Sequence, residues 1–578
     1  MIYNIAPKKE SIIKAWWNYV CFQSPRGLLF FLFSLLFSPM VAQPWAKKAA
    51  GAVFTLKTFN ADGQLLAGSN GFFVTDNGEA LSSFTPFKGA ARAVVIDAQG
   101  KELPVLEILG ANDTYDVVRF RVDAKKTVPL TLATATSADS SIVWLLPYSV
   151  KKVPVCPKGT IVRSEPFATD YAYYTVAIAM KEQQVGCPLM NADGQVIGLM
   201  QQSAATKDHH CYAVSASYAN SLRIGGLSIN DATLRQTSVQ KALPDTPDEA
   251  LVSLFMASSM DSLHYADYIN RFIQKFPNVA DGYLYRARFL TSGGHFAEAD
   301  AEIQKALKVS DQKDDTHSQY ALIIYQKVLY QADKPYEPWT LDVALNEARQ
   351  AWKINPQPVY RQQQAQILFA QQKYDDAYTI YMELVDSDFH KAETFYAAAQ
   401  CKRQAGDNDA CLALLDSAVN TFSKPYLKAA APYLLARAQQ LHEVGKYRPA
   451  VVSFNEYADL MPNQLSADFY YLREQSEFAG HLYQQALDDI RRAVQLNPVE
   501  PAYQAEKACV ELRCGLLDEA IETSKICIGL DAELSDGYLF LGIAQCLKSQ
   551  KTEGLQNLQK AKELGNSQAQ TFIDKYSK

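Results

Sequence analysis

The first third of the chain holds few side chains that could transfer a proton or attack a carbonyl group. Its first histidines are His209 and His210, so no imidazole precedes residue 209. A thiol stands at Cys187, and a dyad of Cys187 with His210 is a conceivable nucleophile. A disulfide between Cys187 and Cys211, or a buried thiol, is the structural alternative. Adjacent residues of a strand point to opposite faces, and no third ligand accompanies the two histidines, so we expect no metal and no cofactor.

Short apolar runs separated by turn residues predict an all-β region over residues 52–218. Such runs occur at 52–56, 93–96 and 142–146, and turn sequences of the Asp-Gly and Asn-Gly type accompany them. Regularly spaced short strands of this kind are typical of a β-sandwich or a β-barrel.

Four motifs of this region, taken in order, resemble those of HtrA/Deg-type serine proteases, which are trypsin-like. They are Gly-Ser-Asn-Gly-Phe-Phe-Val at 68–74, Ala-Asn-Asp-Thr-Tyr-Asp-Val-Val at 111–118, Val-Gly-Cys-Pro-Leu with the hairpin after it at 185–199, and Cys-Tyr-Ala-Val-Ser-Ala at 211–216. The resemblance implies an all-β domain of two perpendicular barrels with a cleft between them. It also implies a catalytic triad of histidine, aspartate and serine.

The resemblance places the triad on Thr85, Asp116 and Val185, so only the aspartate is retained. A threonine hydroxyl is not an adequate base near neutral pH, and valine has no nucleophilic atom. Gln183 stands where the family has a glycine that donates an oxyanion-hole N–H. We therefore expect a pseudoprotease without peptidase activity. The alternative is an active serine or cysteine endopeptidase, with Cys187 as the nucleophile.

From residue 248 on, amphipathic segments rich in alanine, leucine and glutamine predict an all-α region with internal repeats. Small residues recur twelve and then seven positions apart, near the 34-residue period of tetratricopeptide repeats, where two helices cross closely. Residues 311–340 interrupt this spacing as an insertion, and an irregular unit surrounds Ala344. The small residues predicted to pack at the helix crossings are Ala287, Ala299, Ala306, Ala365, Ala377, Ala398, Ala410, Ala438, Ala450, Ala486, Ala493, Ala508, Ala520, Gly542, Gly554 and Ala561.

The resemblance to tetratricopeptide repeats implies an all-α superhelical solenoid with a groove that binds a protein or peptide partner. The substrate cleft of the protease-like domain is a second candidate surface, because capture of an extended peptide needs backbone hydrogen bonds and no triad. A net charge of -6 and the lack of a basic block give no nucleic-acid footprint.

The amino terminus has the layout of a secretory signal peptide. Basic residues precede the apolar run 28–37, and Ala42 offers a cleavage site. The run falls short of the ~20 residues that span a bilayer, so we expect an exported protein with no transmembrane domain after cleavage, located in the periplasm, secreted or in the cell envelope of a bacterium. The predicted organisation is a signal peptide (1–42), a trypsin-like domain (43–224), a linker (225–247) and a tetratricopeptide repeat domain (248–578).

Overall fold

The computed structural model describes residues 43–168, 170–202, 210–387 and 389–578. The predicted signal peptide and His209 therefore lie outside the described residues. The chain divides into two compact units, one ending at Lys275 and the other beginning at Phe276. Within the described ranges, none of the helices combines the length and the apolar character needed to cross a membrane.

Two closed six-stranded barrels form most of the first unit. After a short helix, α1 (Ala46–Ala49), the first barrel is built from β1 (Val53–Phe59), β2 (Leu65–Phe73), β3 (Glu79–Ser82), β4 (Arg92–Ile96), β5 (Glu102–Asn112) and β6 (Val117–Val122). The second is built from β7 (Ile142–Leu145), β8 (Lys158–Phe167), β9 (Tyr171–Ala177), β10 (Pro188–Met190), β11 (Val196–Met200) and β12 (His210–Ser215). The strand orders are β1-β2-β3-β6-β5-β4 and β10-β11-β12-β9-β8-β7. This trypsin-like double barrel confirms the predicted fold of the β-rich half.

The core of the first barrel contains aromatic side chains that come from several of its strands. The ring of Phe54 on β1 lies 4.9 Å from that of Phe73 and 6.1 Å from that of Phe120. β1 pairs antiparallel with both β2 and β4, which closes the ladder. Gly71 on β2 faces this core, and a Cβ there would lie 2.6 Å from the Phe54 ring. Only glycine therefore lets β2 pass over that ring.

Residues 225–247, predicted as a linker, lie against the first barrel, and we call them the strap. The Ile108 amide of β5 donates to the Gln240 carbonyl at 2.7 Å, and the Ala242 amide donates to the Ile108 carbonyl at 2.8 Å. Val239 is only 3% exposed. Two helices, α2 (Pro247–Ala257) and α3 (Ser262–Lys275), follow the strap within the first unit. The strap therefore adds backbone pairing and apolar contacts to the barrel.

The second unit is all-helical, which confirms the predicted fold of this half. Its described residues form eight consecutive helix pairs and a final helix, α20 (Ala569–Ser577). The pairs are α4 (Ala280–Ser292) with α5 (Phe296–Val309), α6 (Lys313–Tyr330) with α7 (Leu341–Ile354), α8 (Pro358–Ala370) with α9 (Tyr374–Asp386), α10 (Lys391–Gln404) with α11 (Asn408–Asn420), α12 (Ala431–Glu443) with α13 (Tyr447–Leu460), α14 (Ala467–Ala479) with α15 (Tyr483–Leu496), α16 (Pro501–Arg513) with α17 (Leu517–Leu530), and α18 (Ser535–Leu547) with α19 (Lys551–Glu563).

The predicted insertion at 311–340 is mostly helix α6. The added length is the loop 331–340, which places the residue twelve positions before Ala344 outside any helix. Trp339 of this loop is 3% exposed and donates from Nε1 to Asp300 at 3.1 Å. The unit around Ala344 is therefore a regular pair with a longer, anchored connection.

In all eight pairs the fourth residue of the second helix is buried. Ala410, predicted for this position, is the third residue of α11 and only half-buried, whereas its neighbour Cys411 is 0% exposed. The prediction was wrong by one residue because the Asp407 side chain caps the helix, accepting from the Ala410 amide at 3.1 Å. The other predicted small residues are all buried.

The close crossing of α18 and α19 gives a stability prediction. A Cβ on Gly542 would lie 2.8 Å from the Gly554 carbonyl oxygen, whereas nothing lies within 4 Å of a Cβ on Gly529. We expect Gly542→Ala to lower the free energy of unfolding by about 1–3 kcal/mol, measured by urea unfolding followed by circular dichroism. The matched control Gly529→Ala is expected to leave it unchanged or raise it by up to about 1 kcal/mol. Equal effects of the two substitutions would contradict the close crossing.

Candidate functional site

The structure brings the residues at two predicted triad positions, Thr85 and Asp116, into contact. Thr85 begins a short 3₁₀ helix (Thr85–Phe87) after β3, and Asp116 ends the turn between β5 and β6. The Thr85 backbone amide donates to Asp116 Oδ1 at 2.6 Å. Asp116 has a φ of 48°, a left-handed conformation that aspartate tolerates better than most residues. The carboxylate thus binds a backbone N–H at the site where the family's aspartate orients a histidine ring.

The third triad position, Val185, lies in a loop that is fastened to β2. We call residues 182–187 the clamped loop; it begins with a 3₁₀ helix (Glu182–Gln184). The Val185 carbonyl accepts from the Asn70 amide and from Asn70 Nδ2, both at 3.0 Å, and from Ser69 Oγ at 3.2 Å. Asn70 Nδ2 also donates to the Gln183 carbonyl at 2.6 Å. Asn70 is 5% exposed, so the loop is held from within the protein.

The amides of the clamped loop donate to carbonyls of the protein. The Val185 amide donates to the Glu182 carbonyl at 3.4 Å and the Gly186 amide to the Met200 carbonyl at 2.8 Å. Gly186 has a φ of 80°, and a Cβ there would collide with the Asn70 backbone. An oxyanion hole needs N–H groups aimed at the reacting oxygen. Of the two positions that the resemblance places there, Gln183 and Val185, the Val185 amide is directed to the Glu182 carbonyl.

The alternative nucleophile, Cys187, is buried in the core of the second barrel. It is 1% exposed, and burial raises the pKa of its thiol to about 12. Cys187 is a free thiol, so the disulfide with Cys211 proposed as an alternative is not formed. His210 lies on β12, where it pairs in register with Ala177 of β9. A protonated, enclosed thiol is a poor nucleophile, and the geometry gives no support to a cysteine protease.

Sequence reasoning missed an aromatic cluster beside the turn that carries the aspartate. The ring of Tyr115 stacks on Phe167 at 4.2 Å and meets Tyr218 edge-on at 5.3 Å. The buried Gln201 side chain donates to the Tyr115 carbonyl and accepts from the Tyr173 hydroxyl at 2.6 Å. The closely spaced tyrosines of β9 were the sequence signal that could have revealed this cluster. These contacts fix the turn from the side of the second barrel.

Two serines near the predicted cleft, Ser82 and Ser83, are buried. Ser82 is 0% exposed and donates to the Asn70 carbonyl at 2.6 Å. Ser83 is 1% exposed, and its hydroxyl has no hydrogen-bond partner. Among the described residues, no group of three or more histidines, cysteines, aspartates and glutamates is arranged to hold a metal ion.

Comparison with known proteins gives no match to a family model. Among solved structures, a serine endoprotease from Yersinia pestis is similar at 17% identity and a TM-score of 0.27, over 30% of this chain and 62% of that chain. The active form of the Rv3671c protease from M. tuberculosis is similar at 15% identity and a TM-score of 0.28, over 32% of this chain and 85% of that chain. An inactive mutant of the same protease is similar at 16% identity and a TM-score of 0.27, over 32% of this chain and 91% of that chain. Because these identities and TM-scores are low, the fold is assigned from the strand order and strand pairing described above.

The hydrogen bonds from Asn70 to the clamped loop predict that substitution of Asn70 destabilises the protein. Asn70→Ala removes the side-chain donor to two carbonyls and is expected to destabilise the first unit by about 1–3 kcal/mol. Hydrogen exchange of peptides covering 182–200 should speed up, while Asn230→Ala, at an exposed residue, should leave it unchanged. Normal protection in Asn70→Ala would contradict the clamp.

Asn70→Asp adds a pH test of the same contact. A carboxylate facing the two carbonyls would have its pKa raised above the unfolded value, so stability is retained at low pH and lost as the pH rises past the unfolded pKa of ~3.9. We expect this variant to be less stable at pH 7 than at pH 4 relative to the natural protein. An equal stability difference at both pH values would contradict the assignment.

Burial of Cys187 predicts slow alkylation. With a pKa of about 12, the thiolate fraction at pH 8 is about 10⁻⁴. Iodoacetamide should therefore modify the half-buried Cys514 and Cys546 before Cys187 in the folded protein, and all three alike in urea. Peptide mass spectrometry measures the order, and rapid modification of Cys187 in the folded state would revive the cysteine-protease alternative.

Proposed function

We propose that this chain is an exported interaction protein that binds a protein or peptide partner and does not hydrolyse peptides. The observation that carries the proposal is that a threonine, Thr85, and not a histidine stands beside the Asp116 carboxylate, whose Oδ1 accepts from the Thr85 backbone amide at 2.6 Å. In a trypsin-like protease, this carboxylate orients the imidazole that accepts the nucleophile's proton. Here residue 85 carries no imidazole, so the carboxylate has no proton acceptor of that kind to orient.

The other triad positions support the same conclusion. Val185 has no group that attacks a carbonyl, and its own carbonyl is occupied by Ser69 and Asn70. In a well-studied serine protease, loss of the nucleophile or the histidine costs on the order of 10⁶ in rate. A domain lacking both would retain no useful peptidase activity.

The helical repeats are the proposed partner-binding region. Each pair of a repeat array packs mainly against its neighbours, which leaves long surfaces on the stack for a ligand. The first helices of successive pairs contact one another in α4 with α6, α6 with α8, and α16 with α18. At these three steps the first helices form a shared face that is available to an extended segment of a partner.

The substrate cleft of the double barrel is the weaker surface for strand addition. Both barrels are closed, so their strands are paired on each side. The turn beside Asp116 also packs into the aromatic cluster through Tyr115. We therefore assign partner binding to the repeats and a supporting role to the barrels.

Covalent active-site probes test the absence of hydrolase chemistry. Incubation of the full chain with a fluorophosphonate and with a thiol-directed epoxide is expected to give no residue-specific labelling. Affinity capture from envelope fractions should recover the same partner with the natural protein and with Asp116→Ala. Specific labelling of one residue, lost when that residue is substituted, would show an active hydrolase, and the lack of any captured partner would count against the interaction role.

A further inference from the structure

One helix crossing of the repeat array departs from the small-residue rule. The position twelve residues before the buried Ala486 of α15 is occupied by Glu474 on α14. The equivalent residues of neighbouring pairs are Ala438, Ala508 and Gly542, all buried. A carboxylate thus stands where the adjacent repeats place a methyl group or a hydrogen.

Glu474 has no partner for its charge in this structure. The residue is 0% exposed, and neither Oε1 nor Oε2 accepts or donates a hydrogen bond. Burial, followed by the charges of Glu506, Glu477 and Asp489, raises the pKa of its carboxyl to about 9. A buried polar group without a partner costs about 1–3 kcal/mol, so its presence at this crossing calls for a compensating contact.

Further carboxylates continue this face across the next two first helices. Glu506 on α16 and Asp536 on α18 are half-buried, and burial, followed by the charge of Asp536, raises the pKa of Glu506. Two cations of α14 and α16, Arg473 and Lys507, are already paired with carboxylates, and Arg513 of α16 lies over the Phe478 ring at 5.9 Å. Arg473 donates to both Asp489 oxygens at 2.6 and 2.7 Å, and Lys507 lies 3.4 Å from Glu511.

An aromatic wall borders the carboxylates. The half-buried Tyr471 on α14 has its ring 5.0 Å from the ring of Tyr503 on α16. Burial and the neighbouring charge of Glu506 raise the pKa of the Tyr471 hydroxyl. Aromatic faces next to carboxylates attract cations through both the ring quadrupole and the charge.

We infer that the acidic face formed by Tyr471, Glu506 and Asp536, with the buried carboxyl of Glu474 beneath it, binds a lysine or arginine side chain of the partner peptide. The inference rests on the proposed function and names the chemical class of its partner. The half-buried Glu506 and Asp536 receive the cationic head, and its charge acts on the buried carboxyl of Glu474 beneath them. The described residues offer no arrangement suited to a metal ion at this face, and an organic cation satisfies the same charges.

Binding is coupled to proton release. Glu474 is protonated at pH 7 in the free protein, and a cation beside it favours the carboxylate, so the affinity should rise from pH 6 to pH 9. The titratable or charged groups around Glu474 are Tyr471, Arg473 and Glu477 on α14, Asp488 and Asp489 on α15, Glu506 and Cys509 on α16, and Asp536 on α18.

Calorimetric titration of the full chain with capped peptides of equal length tests the inference. The probes are a Lys/Arg-rich, a Ser/Gln-rich and a Glu-rich peptide, with spermidine as a free polyamine. We expect only the basic peptide to bind, and Glu506→Gln to weaken it by about tenfold. Glu474→Ala restores the residue of the neighbouring repeats, so it should fold, lose affinity and abolish the pH dependence. Glu519→Gln, at an exposed residue of α17, is the matched control and should bind normally.

Three results would overturn the inference. These are a basic peptide that does not bind, unchanged affinity in Glu506→Gln, or spermidine binding as tightly as the peptide. Binding of only the neutral or acidic peptide would reject the acidic face while leaving partner binding by the repeats intact. Failure of the proposed function itself would show instead in the capture experiment, which uses no basic peptide.

Discussion

The protease-like site depends on the hydrogen bonds that the Val185 carbonyl accepts from Ser69 and Asn70. These residues belong to β2 of the first barrel, whereas the clamped loop connects β9 and β10 of the second. The contacts therefore join the two barrels at the place where a trypsin-like protease carries its nucleophile. They also turn the loop's carbonyls towards β2 and leave the Val185 and Gly186 amides bonded to carbonyls of the protein. The side-chain amide of Asn70 thus supplies two of the hydrogen bonds that hold this loop.

The retained aspartate has a structural contact that explains its place without catalysis. Asp116 closes the turn before β6 in a left-handed conformation and satisfies the amide of Thr85. Tyr115 anchors the same turn to Phe167 of the second barrel. A residue of the triad can therefore be kept for the geometry of a turn, and its presence alone gives no information on peptidase activity.

The sequence predicted the architecture because both halves have strong periodicity, of short alternating strands and of small residues at fixed spacing. It did not predict the strap, whose residues Gln240 and Ala242 attach to Ile108 of β5 through backbone groups that no side-chain pattern records. The shift from Ala410 to Cys411 came from the cap at Asp407, a local choice of helix start. Within the site, the triad positions could be aligned with the family motif, but the clamp could not, since it joins residues more than a hundred positions apart. Glu474 was missed because a search for small residues passes over the one position that lacks one.

The most direct measurement of the central claim is peptide hydrolysis by the full chain. A mixture of quenched fluorogenic peptides with randomised sequence would be incubated with the natural protein and with Asp116→Ala at several pH values between 6 and 9. The proposed function predicts rates equal to the buffer rate for both proteins, because Thr85 and Val185 supply neither an imidazole base nor a nucleophile at these positions. Turnover by the natural protein that disappears in Asp116→Ala would contradict this account.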